Sequence, residues 1–140
     1  MNVAELLTDL ASSTNAIIRS VALRLNLTAS QAYHLLLIPY DGIHMSGLAH
    51  KLGLENSTLT RNIQKLEKLG LVERMPDTYD GRIQRVMLTN NGVSLLKSLE
   101  EHLQKQGVDI LEQIDLDTQE FLLTALEKLS WALLCTREKS

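Results

Sequence analysis

Cysteine is almost missing from this chain. Cys135 stands alone among 140 residues, so no internal disulfide can staple the fold, and a reducing compartment suits it. Long apolar runs are missing too. None approaches the ~20 residues that cross a bilayer, and the N-terminal stretch is too polar for a signal peptide. The expectation is a soluble, cytoplasmic protein with no membrane partner. There is no Gly-rich phosphate loop, no nucleophile elbow and no His/carboxylate cluster at catalytic spacing. His34, His44, His50 and His102 lack metal-ligand spacing with Cys or paired carboxylates. Together these absences point away from an enzyme, a cofactor or a bound metal. Internal repeats, low-complexity tracts and domain linkers are absent as well.

Excess positive charge is also lacking, since the net charge is −3, which is not what a nucleic-acid binder first suggests. Its distribution says more. From Gly42 to Gly92 there are seven Lys and Arg against five acids, a balance of +2; the remainder holds seven bases against twelve acids, a balance of −5. A weakly basic segment on an acidic body orients a molecule toward phosphate without coating it in positive charge.

What is present is a helical pattern with one interruption. With 44% hydrophobic residues the chain can build one core, a domain of about 150 residues burying roughly 68–70% of its unfolded surface. Val3, Leu6, Leu7, Leu10, Ile17, Ile18, Val21 and Leu25 recur at helical spacing and predict a long amphipathic helix from Asn2 to about Leu25. Thr28-Ala-Ser-Gln31 reads as a capping box opening a second helix that Pro39 must end. Pro39-Tyr-Asp-Gly42 is a turn, Ile43 to Met45 a short strand, and Ser46 the expected N-cap of a small helix, Gly47 to Leu52. Gly53 can close that helix in the left-handed conformation.

The next helix begins at Asn56 or Ser57. Leu59, Ile63 and Leu66 lie within about 60 degrees of one another on its wheel and predict a buried stripe. Ser57, Arg61, Gln64 and Lys68 occupy the opposite face, flanked by Thr58, Thr60 and Lys65, and Gly70 is the expected C-cap. Leu71 to Met75 and Gln84 to Leu88 read as strands joined by a Pro76–Arg82 turn segment, a hairpin wing. Thr89 can cap a helix running to Ile114 with a bend expected at Gly107. Asp117 to Glu120 resembles a capping box for a last helix carrying Phe121, Leu122, Ala125, Leu126, Leu129, Leu133 and Leu134. The fold class expected is mainly α with a small β-hairpin wing: a winged helix-turn-helix module, 29–92, between helical regions 1–27 and 93–140.

This chemistry suits duplex DNA. A helix fits the major groove, where Arg61 can pair with guanine and Gln64 with adenine in bidentate fashion. Ser57, Thr58 and Thr60 sit at the positive end of the helix dipole, where phosphate is favoured, and Lys65 and Lys68 add charge. Arg82 at the hairpin tip can enter a minor groove, with Asp80 fixing its direction, and Arg74 and Arg85 are expected to reach phosphates from the strands. The competing account is a solvated helix face for the lysines and a surface salt bridge for Asp80 with Arg82.

Ser57 to Arg74, STLTRNIQKLEKLGLVER, followed from Asp80 by DGRIQRVMLTNNG, resembles the multiple-antibiotic-resistance repressor (MarR) family. The resemblance spans nearly the whole chain, and its most specific element is the Asp-x-Arg wing followed by Leu-Thr-x-x-Gly. It implies a homodimer whose terminal helices form the interface, with each winged module reading half of a pseudo-palindrome in double-stranded DNA as a transcriptional regulator, a repressor by expectation. Arg61 and its neighbours then map to the recognition helix and Asp80 with Arg82 to the wing tip. Gly81 stands where the family often has a basic residue. The resemblance also allows for a small aromatic or phenolic ligand near Tyr33, His34, Tyr40 and His44, for each of which a core or capping role is the competing assignment. Cys135, in an apolar helix, reads as an inert interface residue. The alternative function is a winged-helix module that docks on a protein and never touches DNA.

Overall fold

The computed structural model describes residues 1–139, and within them there are six helices and three strands. They are α1 (Val3–Arg24), α2 (Ala29–Leu37), β1 (Ile43–His44), α3 (Met45–Leu52), α4 (Asn56–Lys68), β2 (Val72–Pro76), β3 (Gln84–Leu88), α5 (Asn90–Glu112) and α6 (Leu116–Glu138). The chain divides into two compact units, the first ending at Leu103 and the second starting at Gln104. The expected class, mainly helical with a small β wing, is what forms.

Local sequence sets most boundaries in the first unit. Asn2 and Glu5 form a capping box at the start of α1, and Thr28 and Gln31 form the one expected for α2. α2 stops at Leu37 because Ile38, which precedes Pro39, is extended. The small helix starts earlier than expected: α3 opens at Met45 with His44 at the N-cap, and Ser46 already lies in its first turn. Pairing with β3 holds Ile43 and His44 as strand, and the helix begins as soon as that pairing ends. Gly53 closes α3 with φ 67°. After α4 the cap is Leu69, with Gly70 next in the left-handed region at φ 73°.

The sheet order is β1-β3-β2, all antiparallel, with Ile43 and Arg74 both opposite Val86. One core joins these elements. It takes Ile18, Val21 and Ala22 from α1, Ala32 and Leu35 from α2, Leu48 and Ala49 from α3, Leu59, Ile63 and Leu66 from α4, Val72, Val86 and Leu88 from the sheet, and Leu96 and Leu99 from α5. Only the last turns of α1 reach that core; Val3, Leu6 and Leu10 are exposed.

The Leu-Thr-x-x-Gly run has a packing explanation. The Thr89 hydroxyl donates to the Gly70 carbonyl at 2.6 Å and accepts the Gly92 N–H at 3.0 Å, while the Thr89 N–H donates to the Leu71 carbonyl at 3.0 Å. This clips the start of α5 onto the end of α4. The approach leaves no room at Gly92, where an added Cβ would collide with the Leu71 carbonyl oxygen.

The second unit holds the rest of α5 and α6. α5 continues as one unbroken helix through Gly107. A single glycine costs a helix only about 1 kcal/mol, which a 23-residue helix tolerates. The cap of α6 is Asp115, not Asp117: its carboxylate accepts the Thr118 N–H at 3.0 Å and the Thr118 hydroxyl at 2.7 Å. Asp117 instead lies in the first turn, complementing the dipole. Phe121, Leu126, Trp131, Leu133 and Leu134 are exposed, and Cys135 is half-buried. Among the described residues no helix is long and apolar enough to cross a membrane.

Gly92→Ala separates two opposing effects. Helix propensity alone would raise stability by up to about 1 kcal/mol, but the collision with Leu71 involves backbone, and overpacking costs about 1–3 kcal/mol. A lowered denaturant midpoint is expected; a raised one would mean that Leu71 moves aside freely.

Candidate nucleic-acid interface

α4 presents two faces because its apolar residues recur at helical spacing. Leu59, Ile63 and Leu66 have no exposed surface, which fixes the rotation of the helix about its axis. The opposite side is therefore set. Ser57, Arg61, Gln64, Lys65 and Lys68 are exposed, and Thr58 and Thr60 are half-buried. The Arg61 guanidinium stays near its own helix, 3.5 Å from the Thr58 hydroxyl, and the Thr60 hydroxyl donates to the Asn56 carbonyl at 2.8 Å. Glu55 occupies the N-cap position but makes no side-chain capping bond. The first-turn N–H groups thus face outward at the positive end of the dipole, an arrangement that favours an anion.

The wing tip is ordered by two carboxylates. Asp80 receives Arg82 through the guanidinium Nε and Nη2, both at 3.0 Å, and through the backbone N–H at 3.1 Å. Arg82 remains 91% exposed, its direction fixed without burial. Asp77 is nearly buried. Its Oδ1 accepts from His44 Nε2 at 2.9 Å, and its Oδ2 accepts the Tyr79 and Asp80 N–H groups, each at 3.1 Å. Arg85 Nη1 lies 3.6 Å from the same Oδ1. The bond from His44 chiefly holds the Asp77 carboxyl below the usual aspartate range, helped by the two backbone N–H groups and opposed by burial. Arg82 does the same for Asp80, against burial and the nearby Asp77 charge.

Arg74 and Arg85, expected to reach phosphates, have partners within the chain. Arg74 Nε donates to Glu67 of α4 at 2.8 Å, and Arg85 Nη2 donates to the Asp41 carbonyl at 3.0 Å while its other nitrogen faces Asp77. Both are part-buried braces between wing and helices.

The four candidates for a small ligand are likewise engaged inside the first unit. The Tyr33 hydroxyl donates to Asn15 at 2.6 Å, and the Tyr40 hydroxyl donates to Glu100 at 2.8 Å. His34 is buried, its Nδ1–H donating to the Ser30 carbonyl at 2.6 Å and its Nε2 accepting from the Asn62 amide at 3.1 Å. His44 serves Asp77. No group of three or more metal-ligating side chains gathers among the described residues.

Sequence reasoning missed Asp77 and Asn62. Asp77 passed as turn chemistry, since nothing in a Pro-Asp-Thr run announces a buried carboxylate. Asn62 sits between the outward Arg61 and the inward Ile63, and its bond to His34 of α2 joins residues 28 apart in sequence.

A helix-turn-helix, α3 and α4, followed by a β2–β3 wing defines a winged helix-turn-helix protein. A model of the MarR family matches residues 27–84, which takes in α2, the helix-turn-helix and the wing up to the start of β3. The whole fold is similar to solved members: a crystal structure of MarR at 21% identity, covering 100% of this chain and 96% of that one with a TM-score of 0.83. A cysteine-to-serine mutant MarR from E. coli complexed with operator DNA matches at 23% identity over 91% of this chain and 92% of that one, TM-score 0.74. The S. aureus MepR–DNA complex matches at 18% identity over 94% and 98%, TM-score 0.75. Residues 27–84 are thus similar to the MarR family, and the chain has the winged helix-turn-helix fold of these solved proteins.

The two depressed carboxylates set a pH window. A group with a lowered folded-state pKa contributes stability above its unfolded value and loses it only as pH falls through the folded value. Amide resonances of Tyr79 and Asp80 are therefore expected to hold steady as pH drops through the ordinary aspartate value of about 3.9 and to move only below it. Movement at or above that value would contradict the network.

Proposed function

We propose that this chain is a sequence-specific DNA-binding regulator, a repressor, acting in the cytoplasm as a homodimer on a pseudo-palindromic operator. The observation that carries the reading is the outward face of α4, Arg61 and Gln64 above a completely buried stripe, together with an exposed, carboxylate-aimed Arg82 in the same compact unit. Arg61 and Gln64 supply base-edge contacts in the major groove, Ser57, Thr58, Thr60, Lys65 and Lys68 supply phosphate contacts, and Arg82 supplies the wing contact. Two related structures were solved with DNA, MarR with its operator and MepR, which supports the same use here.

Pairing is supported by the surfaces that the units leave bare. α1 exposes Val3, Leu6 and Leu10, and α6 exposes Phe121, Leu126, Trp131, Leu133 and Leu134. Apolar surface of that extent ordinarily marks an interface. Release by a small aromatic or phenolic ligand belongs to the reading as well. A cavity of about 130 Å³ lined by residues of α2 and α4, His34 and Asn62 among them, is well placed for it. It falls below the roughly 300 Å³ of ordinary ligand sites, so entry requires α2 and α4 to part.

In mobility-shift titrations Arg61→Ala should weaken binding most at sites bearing the preferred base, by the 1–3 kcal/mol typical of a bidentate pair, roughly 5- to 150-fold. Arg82→Ala should lose affinity more evenly across sequences. Wild-type affinity should fall steeply with salt, and half-sites about 34–36 Å apart should be preferred. Negligible effects of both substitutions would sink the reading.

A further inference from the structure

We propose that Asp77 is the positioning residue of the wing: braced by His44 and Arg85, its buried carboxylate fixes the loop backbone that aims Arg82 at DNA. This inference rests on the DNA-binding reading above. Asp77 is placed so that one side chain serves three parts of the module. Oδ1 takes the imidazole of His44, a residue at the end of β1 and in the N-cap position of α3, and faces Arg85 of β3. Oδ2 takes the consecutive N–H groups of Tyr79 and Asp80. Asp80 then holds Arg82 through three bonds.

The chain of contacts has a direction. A carboxylate accepting two successive backbone N–H groups fixes the peptide planes of the loop, and with them the Cα–Cβ direction of Asp80. The Asp80 carboxylate can orient Arg82 only if its own backbone is held. Asp77 supplies that hold from inside, with 8% of its side chain exposed, whereas Arg82 is 91% exposed and, among the described residues, is held by Asp80 alone. An arginine left free must lose its rotamer freedom on binding, and that ordering weakens affinity. Because His44 precedes α3 directly, the same carboxylate ties the wing to the helix-turn-helix, so that the wing contact and the α4 contact keep one geometry.

The arrangement also separates Asp77 from a merely structural acid. A residue that only stabilised the fold would lower affinity whether or not Arg82 were present. A positioning residue loses its effect once Arg82 is gone.

The test is a double-mutant cycle on the full chain with a mixed-sequence duplex of about 30 base pairs, long enough for two half-sites, titrated at low salt. Asp77→Asn and Arg82→Ala should each weaken binding by about tenfold, and the double variant should bind no more weakly than Arg82→Ala alone, the mark of coupled residues. His44→Ala, at a part-exposed position that leaves the core untouched, should reproduce a smaller share of the loss, and His44→Gln, which keeps an N–H donor, should recover it. Factors that multiply in the double variant, or His44→Ala binding like wild type, would overturn the inference while leaving the DNA reading intact. Failure of the wild-type chain to retain the duplex would overturn the DNA reading itself, and this inference with it.

Discussion

The structure depends on the burial of three side chains. Leu59, Ile63 and Leu66 of α4 are completely withdrawn from solvent. Each buried aliphatic side chain is worth about 1.5–3 kcal/mol relative to exposure, so a rotation of α4 that exposed all three would forfeit on the order of 5–9 kcal/mol. That is comparable to the whole stability of a small domain. No contact on the outer face competes with a term of that size. Arg61 and Gln64 point outward because the stripe beneath them cannot.

The wing is held differently, by charge and hydrogen bonds rather than by packing. Val72, Val86 and Leu88 seat the hairpin on the core, but its tip has no apolar anchor, and Tyr79 is 97% exposed. Order there comes from Asp77 within and Asp80 at the rim. Arg74 with Glu67, and Arg85 with the Asp41 carbonyl, tie the strands to neighbouring elements. Two of the module's seven basic side chains thus brace the fold, each beside an acid of the same segment, which leaves five bases against three acids and the surplus of +2 unchanged.

What was legible in the sequence is what local spacing decides. The α4 stripe, the Thr28–Gln31 capping box, the Pro39 stop and the left-handed Gly53 follow from neighbours within a turn or two, and all formed as read. The misplaced starts share one cause. Ser46 and Asp117 are good caps in isolation, yet the helix begins where the preceding element ends: pairing of His44 with β3 starts α3 at Met45, and Asp115 takes Thr118 first. The intramolecular partners of Arg74 and Arg85 were illegible for a related reason. Whether a strand arginine reaches solvent depends on which acid the fold brings beside it, and Glu67 and Asp77 arrive through tertiary structure. Asp77 was invisible because burial of a turn carboxylate needs an imidazole from residue 44, thirty-three positions away.

The central claim is that α4 and the wing tip offer one set of side chains outward and keep another inward. Nitrogen-15 spectra of side-chain N–H groups, recorded as duplex DNA is added, test it most directly. The Gln64 amide and the Arg61 and Arg82 Nε–H signals should shift, while the Arg74 Nε–H, already given to Glu67, and the Asn62 amide, already given to His34, should stay. The opposite pattern, with Arg74 and Asn62 responding and Arg61, Gln64 and Arg82 silent, would contradict the account.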